Sequence, residues 1–102
     1  MIESFIEGRV RLRTSLLADA ALAELLSSAL MRIDGMQKVE VNPRTQGLLL
    51  EYDKKRLPLS RLIRAQPVFL RMRELERETS DTRLQSLKNL LEDLSQVLND
   101  ND

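Results

Sequence analysis

The sequence predicts an α+β domain: a four-stranded antiparallel sheet with two helices on one face, plus an extra C-terminal amphipathic helix. Three observations lead there. Residues 2–14, 36–42 and 48–53 alternate apolar and polar side chains, the period of half-buried strands. Residues 19–33, 59–65 and 79–98 repeat apolar residues every three or four positions, the period of amphipathic helices. The two kinds of segment interleave, as they do when helices cover one side of a sheet.

In Ile2 to Thr14, the residues Ile2, Ser4, Ile6, Gly8, Val10 and Leu12 have one parity, and Glu3, Glu7, Arg9, Arg11 and Arg13 the other. Phe5 breaks the polar parity and Gly8 marks a bulge or bend, so the regular strand is expected from Glu7 to Thr14. Asp19 is the expected N-cap of a helix whose stripe is Leu22, Leu25, Leu26, Ala29 and Ile33, with Gly35 ending it. Met36–Asn42 and Leu48–Asp53 form a hairpin around the turn formers Asn42-Pro43-Arg44-Thr45-Gln46-Gly47. Pro58 fits the first turn of a short helix, Leu59 to Ala65, and Pro67 is expected to stop it. Val68 to Met72 reads as a last short strand, with a direct run into the C-terminal helix as the alternative. Thr79-Ser80-Asp81 offers a cap for that helix, whose leucines Leu84, Leu87, Leu91, Leu94 and Leu98 are widened by Leu90 and Val97. Asn99 to Asp102 is expected to fray. The order is the ferredoxin-like βαββαβ arrangement, with residues 1–78 as the body and 79–102 as an appended helix and acidic tail.

Composition excludes much chemistry. With 102 residues, 42% apolar and 31% charged, the chain supports one modest core. It has no Cys and no His, which removes thiolate and imidazole metal sites, Cys and His nucleophiles, and disulfides. Sixteen basic residues balance sixteen acidic ones, so no whole-molecule field draws it to nucleic acid or membranes. The charge is uneven: residues 79–102 hold two basic and five acidic groups. No apolar run approaches the roughly 18 residues that span a bilayer, and Met1-Ile2-Glu3-Ser4 is unlike the basic start of a leader. The expectation is a cytoplasmic protein without membrane insertion.

The stretch Ile33-Asp34-Gly35-Met36-Gln37-Lys38-Val39-Glu40-Val41-Asn42, followed by Thr45-Gln46-Gly47 and Leu50-Glu51-Tyr52-Asp53, resembles the second half of heavy-metal-associated domains. These are the small modules of copper chaperones and metal-transporting ATPases. Leu59-Ser60-Arg61-Leu62-Ile63 fits the short helix that follows, and Glu7 to Arg13 looks like the first strand of a divergent branch lacking cysteine. In metal-carrying members the loop after the first strand holds a CxxC for a soft ion. Here that loop reads Thr14-Ser15-Leu16-Leu17-Ala18-Asp19, so the family's metal residues carry over to no position. The resemblance then implies a metal-free, non-catalytic module of protein interaction or regulation, with a transport ATPase as a possible partner and no cofactor. Met31, Met36 and Met72 are scattered and read as core.

Arg9, Arg11 and Arg13 put three guanidinium groups on one strand face. If the last strand pairs beside the first, Arg71 and Arg73 join them, with Glu40 and Glu51 in partial compensation. The bland reading is a solvated face with cross-strand ion pairs. The functional alternative is an anion- or nucleic-acid-binding face. Nucleic acid is disfavoured, because the aromatics are Phe5, Phe69 and an inward Tyr52. Leu16-Leu17-Ala18 offers no Gly-rich phosphate cradle. Glu74, Glu76, Glu78, Glu92 and Asp93 read as solvated helix surface. The C-terminal leucines need a partner surface. Since two helices already cover one sheet face, a homodimer through this helix is expected, with packing within the chain or docking to another protein as alternatives.

Overall fold

The structure, a computed structural model, describes residues 2–78 and 81–99. Four antiparallel strands form one sheet: β1 (Ile2–Ile6), β2 (Arg9–Arg13), β3 (Met36–Asn42) and β4 (Gly47–Tyr52), in the spatial order β1-β2-β4-β3. A 3₁₀ turn (Ser15–Ala18) leads into α1 (Ala20–Met31). Three helices follow β4: α2 (Leu59–Arg64), α3 (Gln66–Leu75) and α4 (Arg83–Leu98). This is a mixed α+β fold with a four-stranded antiparallel sheet and a C-terminal helix, compatible with the ferredoxin-like class.

The fourth strand comes from a different part of the chain than expected. Residues 2–13 form two strands, because Gly8 takes φ +95° and turns the chain back so that Ile6 faces Arg9. Few L side chains adopt that conformation. The turn also accounts for the parity break at Phe5, which pairs with Val10 rather than following Ser4 along one straight strand. Val68 to Met72, expected as the last strand, lies instead inside α3. Val68, Met72 and Leu75 are its buried face while Leu70 is exposed, so the helical period wins over the alternation. Pro67 begins this helix instead of stopping the one before it, since proline costs little in a first turn. β1 thus occupies the place beside β2 that a C-terminal strand was expected to fill.

The inner face of the sheet pairs Val10 with Leu50 and Leu12 with Leu48, and Val39 and Val41 pair with Leu50 and Leu48 from the other side. Leu22, Leu26 and Leu30 of α1 join the same core. Asp19 caps α1 as expected, its carboxylate accepting from the Ala21 and Leu22 amides at 2.9 and 3.3 Å.

Helix α4 packs against α1, α3 and α2 of its own chain. Leu87, Leu90, Leu91, Leu94 and Leu98 are all buried in the same core as the sheet leucines, whereas Leu84 remains 39% exposed. The core therefore runs across residue 78. Its far end is tied down as well: the Asn99 side chain accepts a hydrogen bond from the Asp34 amide at 2.9 Å. The leucine stripe meets its need for cover within the chain, which removes the reason for expecting a homodimer seam there. Thr79 and Ser80, expected with Asp81 to cap this helix, and residues 100–102, expected with Asn99 to fray, lie outside the described residues; of the two that are described, Asp81 precedes the observed cap position Thr82, and Asn99 is held by its bond to Asp34 rather than frayed.

Candidate functional site

The loop between β2 and α1 is where the resemblance would place a metal. Thr14 is 1% exposed, and its amide donates to the Gln46 carbonyl at 3.0 Å. Its hydroxyl accepts from the Leu16 amide at 3.3 Å, which starts the 3₁₀ turn. The turn drives Leu16 and Leu17 into the core, at 0% and 1% exposed. Asp19 is engaged with two backbone amides at the head of α1. The loop's donors are therefore the Thr14 and Ser15 hydroxyls and the Asp19 carboxylate, those of Thr14 and Asp19 already accepting from backbone amides, with Leu16 and Leu17 between. Such a set does not suit a thiophilic ion. Among the described residues no three His, Cys, Asp or Glu side chains gather into a metal-binding group. Nor do the methionines substitute: Met72 is buried in the core and Met31 is exposed on α1. The described residues of this loop do not fit a thiophilic metal.

The outer face of the sheet carries Arg9, Arg11 and Arg13 in a row, all exposed. Arg13 pairs with Glu3 of β1 at 2.9 Å, and Arg9 approaches Glu51 of β4 at 4.0 Å. Both are cross-strand contacts of the kind alternation allows. Arg11 sits between Ser4 on one side and Leu49 on the other, with Glu40 one strand further across. Arg71 and Arg73 do not join this row. Both lie on α3, where Arg71 donates to Asp93 of α4 at 2.8 Å. The sequence gathered the five arginines through the strand expected at Val68–Met72, and the helix there separates them. Phe5 shares a sheet pair with the inward Val10, Tyr52 is buried, and Phe69 belongs to α3. The arginine row thus has none of these aromatics beside it as a stacking platform.

A second feature was not foreseen. Between the inner side of β1 and helices α2 and α3 lies an apolar cleft of about 230 Å³. Its signal in the sequence was Phe5, whose place in the wrong parity only makes sense once β1 folds back and turns that ring towards the helices.

No curated protein sequence and no solved structure matches the chain. The family model that does match is heavy metal associated domain 2, over residues 1–101. That span takes in the sheet, the donor-poor loop and α4 together, and the chain belongs to the heavy metal associated domain 2 family.

Proposed function

We propose that this chain is a metal-free module of its family which acts through protein interaction or regulation and performs no catalysis. One observation carries the reading: the loop that would present thiolates instead presents Leu16 and Leu17, and both are core side chains. A site whose centre is part of the hydrophobic core has no room to exchange a metal ion. What remains available is the helix-free outer face, where Arg11, flanked by the paired Arg9 and Arg13, offers a positive contact to an acidic protein surface. A transport ATPase in the same cytoplasmic compartment fits the family setting. No helix among the described residues is long and apolar enough to cross a membrane.

Titration with Cu(I) and Zn(II), followed by native mass spectrometry, tests the metal-free reading. The expected result is no stoichiometric complex at sub-micromolar free metal, and one tightly held equivalent would overturn it. The second reading is an anion- or nucleic-acid-binding module using the Arg9, Arg11 and Arg13 face. The carboxylates beside Arg9 and Arg13 work against it, because an anion must displace them. It predicts that the unaltered protein binds members of an anionic panel and that Arg9→Glu, Arg11→Glu and Arg13→Glu together abolish the binding.

A further inference from the structure

The two edges of the sheet differ in how they are guarded. On one side β3 carries Lys38 and Glu40 and runs into Pro43, and charges and proline at an edge keep other strands from adding to it. On the other side β1 has all five residues exposed and contains no lysine, arginine or proline. Its one charged side chain, Glu3, is held by Arg13 at 2.9 Å. Both edges carry one register shift, so charge and proline make the difference. Ile6 and Arg9 close a two-residue turn and exchange ladder bonds, so by alternation the amide and carbonyl of Phe5 point to the open side. Behind this edge stands a cation. Arg11 pairs with Ser4 of β1 and has no ion pair among the described residues, whereas Arg9 and Arg13 face Glu51 and Glu3. Ser4 is small, and with Ile6, Arg9 and Arg11 it lines a shallow concavity of about 210 Å³.

We infer that β1 receives an extended, acidic segment of a partner protein as a fifth strand, the partner residue opposite Ser4 being a carboxylate that takes Arg11. The inference rests on the interaction-module reading and names the kind of partner. Main-chain bonds hold the added strand, and its alternate side chains supply the selection. In an antiparallel fifth strand the residue opposite Phe5 turns to the inner face, where Ile2 and Phe5 favour an apolar side chain. Its neighbour opposite Ser4 turns to the outer face. That neighbour lies two strand spacings from Arg11, about 9.6 Å, a gap that the side chains of a glutamate and an arginine close over Ser4. A second copy of β1 does not supply this pattern. Paired about Phe5, it sets Ser4 against Ile6 and Glu3 against Glu7, two like charges; paired about Ser4, it sets that serine against itself. In neither does Arg11 gain a carboxylate.

The probe is the blocked peptide Thr-Thr-Val-Glu-Thr, its valine opposite Phe5 and its glutamate opposite Ser4, followed through the amide chemical shifts of the whole chain. The expected result is saturable binding in the millimolar range, with shifts at β1 and β2 and none at β3. Glutamine in place of the peptide's glutamate should weaken binding about two- to fivefold. Arg11→Gln should remove that difference, while Arg9→Gln leaves it. N-methylation of the peptide's valine deletes the donor that pairs with the Phe5 carbonyl and should abolish binding. Phe5→Pro does the same from the protein side, a proline being tolerated where the amide faces solvent; the methylated peptide carries that test should the variant fail to fold. No shifts at β1 up to about 10 mM peptide would overturn the proposal. So would binding that survives N-methylation, or a glutamate preference that survives Arg11→Gln. Sedimentation showing a dimer that Phe5→Pro dissociates would assign the edge to a second copy and overturn it too. None of these outcomes alters the metal titration, so failure of the edge assignment and failure of the metal-free reading are distinguishable.

Discussion

The two ends of the sheet's inner face have been treated in opposite ways. At one, the loop of residues 14–19 is filled with Leu16 and Leu17 and pinned by backbone bonds to Thr14 and Gln46. At the other, the edge strand β1 and helices α2 and α3 leave an apolar cleft with exposed side chains around its mouth. The resemblance to metal-carrying heavy-metal-associated domains directs attention to the first end. In this chain that end has become core, and the unspent apolar surface lies at the second. The difference teaches that a loop without sulfur or imidazole need not be an empty site. Aliphatic side chains in that loop are drawn inward, and the loop then holds the fold together.

The largest expected effect breaks the comparison altogether. Truncation after Glu78 removes five buried leucines, each worth about 1.5–3 kcal/mol, from a domain whose stability is on the order of 5–15 kcal/mol. Circular dichroism should find residues 1–78 unfolded; a cooperative thermal transition in that fragment would show that α4 is an appendage after all. Next comes a direct contrast between the ends. Leu17→Ala should lose about 2–5 kcal/mol in urea unfolding, while Phe5→Ala, beside the open cleft, should lose less than about 1 kcal/mol. Equal losses would mean that the loop and the cleft are packed alike. Smaller again is Gly8→Ala. A Cβ there would meet the Tyr52 carbonyl at an ordinary 3.4 Å, so the cost is the positive φ alone, roughly 1–2 kcal/mol. It should fall on β1 and the cleft, seen as lost protection of β1 amides, and leave residues 14–19 unaffected.

Much of this was legible in the chain. The β3–β4 hairpin, the Asp19 cap and a loop without sulfur or imidazole all rest on local chemistry, which a sequence displays directly; Gly35 does take φ +95°, but α1 already ends at Met31 with Arg32 as its cap. The misplacements share one cause. Val68, Leu70 and Met72 satisfy a period of two, and Val68, Met72 and Leu75 a helical one; only packing against α4 decides between them. That one choice moved Arg71 and Arg73 onto a helix and gave the edge of the sheet to β1. The leucines of α4 announced a buried face, but a stripe does not say whose surface will bury it. The cleft was invisible for the same reason: its walls come from residues 2 to 98, and no local pattern reports a gap between elements.

Amide hydrogen exchange under native conditions tests most directly whether the family's metal loop has become core. The amides of Thr14, Leu17 and Asp19 donate to backbone carbonyls in that loop, and their exchange should require nearly global unfolding. Those of β1, an exposed edge strand, should exchange orders of magnitude faster through local opening. Protection at residues 14–19 no greater than at β1 would contradict the account, because a loop that opens as readily as the sheet edge is not part of the core.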